Sequence, residues 1–202
     1  MDEKRFVITV TDQFFSMGRL IAQRMSQLLG VPCYNSFIAE EAARKLNLPQ
    51  ELVSETEERS RPLLAESWLS AMQFGQSSEI QNRIFECQKE IVESLAEREN
   101  CIIVGRCSDF VLGDRVDTMH IYIYAGFEHR VRRCMDELKI DLNEARRLVV
   151  RTDQARCAYH MNYSGYQPDD KNHKHILVDS GLVGVEDTAA FLSEIVRKRF
   201  HI

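Results

Sequence analysis

No stretch of the chain approaches the roughly 18 consecutive apolar residues that a membrane-crossing helix needs, and the first residues carry no long apolar segment. The expectation is a soluble, cytoplasmic protein with no membrane partner. A basic excess is also missing: 26 Lys and Arg stand against 31 Asp and Glu, a formal net charge of −5. That argues against a nucleic-acid polymer as the main partner. Local arginine clusters can still grip a small phosphorylated molecule. The six cysteines (33, 87, 101, 107, 134 and 157) include no pair at CxxC spacing, so they read as reduced thiols packed as small hydrophobes. His173 and His175 alternate at a strand entry without a third ligand at a recognisable spacing, and no residue is assigned to a metal. An HExxH helix, a nucleophile elbow, an internal repeat and a low-complexity tract are all absent. The last shortage is glycine. Where a β-to-α turn follows the first apolar run, "VTDQFFSMGRLIA" keeps only Gly18.

What is there is an ordinary globular balance, 44% hydrophobic and 28% charged over 202 residues, enough for one domain (1–202) with a substantial core. Five short runs read as strands: 5–10, 31–35, 101–105, 119–125 and 174–179. Several are nearly continuous in apolar residues, which suits parallel strands covered on both faces. Between them lie helical patterns. Ile80, Ile84, Cys87, Ile91 and Leu95 form one stripe, and Phe191, Leu192, Ile195 and Val196 another, closed by Lys198 and Arg199 at the negative helix end. The alternation predicts an α/β fold with a parallel sheet between helical layers. Ligands bind beyond the carboxyl ends of such strands, which singles out the loops 11–18, 35–37, 105–110, 126–128 and 180–186. Residues 49–78, with the only tryptophan (Trp68), are irregular and read as short helices inserted over the sheet.

Three stretches carry chemistry. The first is the glycine-poor loop. A phosphate loop of the form GxxxxGK[ST] turns backbone N–H groups around phosphate oxygens, brings up a lysine and offers a hydroxyl to magnesium. Anchored on Gly18, those positions are Gln13, Arg19 and Leu20. On spacing alone it is either a phosphate cradle or a plain βα turn. The second is "VGRCSDFVL", 104–112. Arg106 follows a strand and can make a two-pronged contact to a phosphate, or it can form a surface ion pair with Asp109. The third is 145–166. Asp141 and Glu144 resemble a capping box, so a helix starts near 142. Its arginines are either a solvated face or part of a lid over 142–172 that neutralises transferring phosphates.

Together these blocks resemble the cytidylate kinase-like proteins among the P-loop nucleotide kinases. The resemblance rests on 8–38, on "CIIVGRCSDFVL" (101–112), on 121–138, on "EARRLVVRTDQARCAYHMNYSG" (144–165) and on 176–187, and so spans nearly the whole chain. It implies a three-layer P-loop kinase fold with a five-stranded parallel sheet. It also implies transfer of a phosphoryl group from ATP, with Mg2+, to a nucleoside monophosphate or similar small acceptor. By position it assigns Ser16, Met17, Gly18, Arg19 and Leu20 to the ATP phosphates, and Arg19, Asp153 and Arg156 to catalysis. Arg106 and Asp109 fall to the acceptor, and 49–78 occupies the place of the monophosphate-binding insert. The departures lie in the loop. Phe15 and Met17 replace two glycines, Gln13 replaces an acidic residue, and Leu20 has no hydroxyl to offer magnesium. Cys107 stands where cytidylate kinases proper carry Asp. They leave two rivals to the kinase reading: a pseudokinase that binds nucleotide or phosphate without chemistry, and a protein-interaction module with a closed loop. The backbone torsions of Phe15 and Met17 discriminate among them.

Overall fold

The computed structural model describes residues 5–55, 77–113 and 115–202; Trp68 and most of the expected insert lie outside them. Among the described residues the strands β1 (Val7–Asp12), β2 (Cys33–Tyr34), β3 (Cys101–Val104), β4 (Thr118–Tyr124) and β5 (Ile176–Asp179) form one sheet in the order β2-β3-β1-β4-β5. Every pairing is parallel. The described helices are α1 (Gly18–Leu29), α2 (Ser36–Leu46), α3 (Gln50–Glu55), α4 (Ser77–Arg98), α5 (Ser108–Val111), α6 (Phe127–Leu138), α7 (Leu142–Ser164) and α8 (Gly184–Phe200).

The apolar strands behave as period-two elements buried on both sides. Val7, Cys101 and Ile103 join the cluster beneath α2 and α4. Ile8, Val10, Ile102 and Val104 join the other, beneath α1 and α8. β4 obeys the rule only in half. Met119, Ile121 and Ile123 enter the α1 and α8 cluster, while the alternate residues Thr118, His120 and Tyr122 are also buried. On that second face His120 Nδ1 lies 2.8 Å from Thr9 Oγ1, so the buried polar atoms satisfy one another.

Boundaries differ from the sequence expectation where backbone pairing overrides side-chain character. β1 runs to Asp12 because Thr11 and Asp12 pair with Tyr122 and Ile123. β2 shrinks to two residues at the sheet edge. Pro32 before it has no N–H to donate, and its carbonyl accepts from Ile102 N at 2.9 Å. α7 begins where expected: Asp141 caps it, its Oδ1 accepting the Glu144 N–H at 2.9 Å. A third cluster, Val131, Cys134, Ala145 and Val149, fastens α6 to α7 beside the end of β1.

Candidate active site

The first βα corner is held by contacts to the carboxyl ends of β4 and β5. The Gln13 N–H donates to Ile123 O at 3.0 Å, and the Ser16 hydroxyl donates to the same carbonyl at 3.1 Å. Ser180 Oγ in turn donates to Ser16 O at 2.5 Å. Ser16 is wholly buried, so it pins the loop to the ends of β4 and β5. Between these anchors Phe15 and Met17 adopt φ of 61° and 66°. These are the two positions at which the resembling family carries glycine. The left-handed conformation costs a residue with a side chain roughly 1–2 kcal/mol. Burial offsets it: Phe15 packs with Phe14 on the α6 and α7 cluster, and Met17 packs on the main core. Gly18 is required for a different reason. A Cβ there would stand 2.4 Å from Asp12 Cβ.

Past Met17 the helix opens without a side-chain cap and without an acidic residue in its first turn. The first internal bond is Ile21 N to Met17 O, 3.0 Å. The N–H groups of Gly18, Arg19 and Leu20 therefore have no acceptor within their own helix, and the positive end of the macrodipole lies there. The opposite wall is the corner after β3. Gly105, Arg106 and Cys107 have φ of 73°, 62° and 49°, three left-handed residues in succession, a conformation that L-residues rarely sustain. Strain of this kind gathers at functional sites. Arg106 is only 8% exposed.

These two corners and the inner face of α7 enclose a cavity of about 320 Å3. Phe15, Met17, Arg19 and Leu20 line it from the loop and α1, Arg106 and Cys107 from the β3 corner, and Asp153, Arg156 and Tyr159 from α7. Three stretches far apart in sequence thus converge on one hollow. The α7 residues are tied to the loop. Arg156 Nη1 donates to Asp12 O at 3.2 Å and reaches Asp12 Oδ1 at 3.4 Å, with its guanidinium 5.5 Å from the centre of the Phe14 ring. Asp153 Oδ1 accepts the Phe14 N–H at 3.0 Å, and its Oδ2 pairs with Arg130 Nη1 at 2.6 Å.

Asp109 lies elsewhere. It is wholly buried behind the β3 corner and does not line the cavity. Its carboxylate accepts from His160 Nε2 (3.0 Å), from Tyr166 Oη (3.2 Å) and from Lys174 Nζ. Burial alone would raise its pKa; the bond from His160 and the Lys174 charge outweigh it and hold the carboxyl well below the usual carboxylate range. The histidines considered for metal binding have other partners. His173 stacks on Tyr166, ring centres 3.6 Å apart, and His175 Nδ1 accepts the His120 N–H at 2.9 Å.

Sequence reading missed Arg130, His160 and Lys174. A faint signal existed for Arg130: it shares the apolar stripe of α6 with Phe127, Val131 and Cys134, where a solvated arginine does not belong. Magnesium was a further expectation. P-loop kinases in general use ATP with Mg2+. Here Leu20 stands at the hydroxyl position, and no group of three or more His, Cys, Asp or Glu among the described residues could hold a metal ion. The arginines of the cavity fit phosphate oxygens, and the magnesium that P-loop kinases carry on ATP would find the Asp12 and Asp153 carboxylates in place of the missing hydroxyl.

The strand order, the loop after β1 and the arginine-bearing helix opposite define a P-loop kinase fold. Within that class the chain belongs to the cytidylate kinase-like family, whose sequence profile matches residues 7–182. Comparison with curated protein sequences gives no significant match. Among solved structures it is similar to an uncharacterized protein from Eubacterium ventriosum, with TM-score 0.72 at 19% identity over 95% of this chain and 98% of that one. It is also similar to a shikimate kinase from Acinetobacter baumannii in complex with shikimate (TM-score 0.56, 12% identity, 97% and 95% covered). A gluconokinase from Sinorhizobium meliloti matches with TM-score 0.51 at 14% identity over 98% of both chains. No described helix is long and apolar enough to cross a membrane.

Proposed function

We propose that the protein is a small-molecule kinase that moves the γ-phosphoryl group of ATP to a nucleoside monophosphate or an acceptor of similar size and charge. The reading is carried by the left-handed torsions of Phe15 and Met17, which keep a phosphate-loop backbone without its glycines. ATP phosphates lie on the Gly18, Arg19 and Leu20 amides, with the Arg19 guanidinium adding charge. Met17 contributes the turn, and Ser16 contributes anchoring. Arg106 holds the acceptor phosphate from the facing corner, and Arg156 stands on the third wall. An acceptor-phosphate oxygen bonds to the γ-phosphorus as the bond from that phosphorus to the β-bridging oxygen breaks, and ADP leaves with the electron pair. A phosphate acceptor is largely dianionic near pH 7, its second pKa being about 6. No general base is then needed, and two of the carboxylates that line the cavity, Asp12 and Asp153, are already engaged by Arg156 and Arg130. Positioning and charge stabilisation supply the catalysis.

The test is ADP formation from ATP and Mg2+ across a panel of nucleoside monophosphates and small hydroxyl acceptors. Acceptor-dependent ADP is expected, together with loss of that dependence in Arg106→Ala. No turnover with any acceptor would overturn the transfer. Leu20 at the hydroxyl position specifically favours a second reading, a protein that binds nucleotide without transfer. Calorimetric ATP binding in a sample that forms no ADP would decide for it.

A further inference from the structure

We propose that Arg130 and Asp153 are a positioning pair that holds the phosphate loop in its anion-accepting shape by gripping both main-chain groups of Phe14. The inference rests on the phosphate-loop reading above and assigns a role to Arg130 that the kinase assignment does not contain. The geometry is specific. Asp153 Oδ1 accepts the Phe14 N–H at 3.0 Å, and Arg130 Nη1 donates to Phe14 O at 3.1 Å. The two side chains close on each other at 2.6 Å, and Arg130 Nε donates to Ala125 O at 3.0 Å. One bond fixes the peptide plane before Phe14 and the other fixes the plane after it. Two fixed planes set both torsions of Phe14, and these aim the chain into Phe15, the first left-handed residue.

The side chain of Phe14 is held as well. Its ring meets Phe15 edge-on, centres 4.5 Å apart, and faces the Arg156 guanidinium. A pair serving only to join α6 to α7 would have no need of the loop. This one spends Asp153 Oδ1 and a second bond of Nη1 on a single loop residue. Arg130 is 5% exposed, so its fork is desolvated and its hydrogen bonds are of the charge-assisted kind. A loop with few glycines does need outside support: Phe15 and Met17 are strained where they sit, and without a clamp the backbone would relax toward ordinary torsions.

The experiment compares the full-length wild type with Asp153→Asn and Arg130→Lys. Asparagine has one oxygen, so it cannot serve both Phe14 N–H and Arg130; lysine keeps the charge and loses the fork. Two readouts are taken: amide hydrogen exchange across 13–19 against β1 and β3, and affinity for inorganic tripolyphosphate, which probes the loop without a nucleoside. In both variants exchange in 13–19 should accelerate by about tenfold or more, and tripolyphosphate affinity should fall by about tenfold, the effect of losing one charge-assisted hydrogen bond. The exchange of β1 and β3 should stay near wild type. Uniform acceleration over the chain would overturn the proposal by making the pair ordinary stability. Unchanged loop exchange with unchanged affinity would overturn it too. Failure of the wild type to bind tripolyphosphate would overturn the phosphate-loop reading itself, while the exchange comparison would still decide the clamp.

Discussion

At Phe15, with φ of 61°, strain and packing oppose each other, and substitutions can separate them. Phe15→Ala removes the ring from the α6 and α7 cluster but keeps a Cβ in the left-handed region. Phe15→Gly removes the ring and releases the strain, roughly 1–2 kcal/mol. Glycine should therefore be the milder substitution by about 1 kcal/mol, the reverse of the usual order inside structured elements. Urea denaturation of the two variants checks it; an alanine variant as stable as the glycine variant would mean that the torsion carries no strain. Phe15→Gly combined with Met17→Gly also enlarges the hollow and should raise ATP affinity in calorimetry. This corner shows how far single residues were legible. Gly18 could be found because it occupies a fixed place after an apolar strand, and the structure supplies its physical reason in the contact with Asp12. The torsions at 15 and 17 could not be found from composition, since neither Phe nor Met announces positive φ. Only the resemblance to a glycine-bearing loop pointed to them.

At the scale of elements, the sheet and the start of α7 were readable, and the inward face of α7 was not. Strands covered on both faces write themselves as continuous apolar runs, and β1 and β3 do so. The inward side of α7 starts apolar at Ala145 and Val149 and then turns polar at Asp153, Arg156 and His160. Hydrophobic periodicity cannot follow such a stripe, so it leaves a solvated face and a lid both open for a helix half of which is a wall of the cavity. Its far end is held by the Asp109, His160, Tyr166 and Lys174 network, in which Asp109 and Lys174 are both wholly buried. Breaking a buried pair leaves an uncompensated charge, which costs about 3–5 kcal/mol. Lys174→Met should approach that loss, and adding Asp109→Asn should recover a large part of it. Chemical denaturation of the single and double variants gives the coupling, and strict additivity would show that the two charges do not depend on each other. The same network explains why Asp109, read from the sequence beside Arg106, serves the fold behind the corner while Arg106 faces the cavity.

At the scale of the whole molecule, the buried histidine of β4 that meets Thr9 of β1 ties stability to pH. His120 lies 2.8 Å from Thr9, stacks on His175 with ring centres 5.1 Å apart, and is 5% exposed. Burial first, and the neighbouring His175 second, push its pKa from 6.5 down to about 4. Burial and Arg199 lower His175 as well. Between pH 6.5 and about 4 the unfolded chain binds a proton at this position and the folded chain does not, so the histidine term in stability is fully present above pH 6.5 and is lost as pH falls toward 4. From pH 7 to pH 4.5 the loss from His120 should be on the order of 2–3 kcal/mol. Asp109 acts in a separate window: its depressed carboxyl contributes stability that is present above the usual value of 3.8 and lost only below it, so pH 4.5 reads the two histidines, and the His120 variant separates one from the other. Because His120 sits inside the central strands, opening local enough to protonate it requires breaking the sheet, and the effect should appear in global unfolding. Urea titrations at the two pH values should show the wild type losing this amount and His120→Asn losing much less. Equal losses in the two proteins would show that the acid sensitivity resides in other groups.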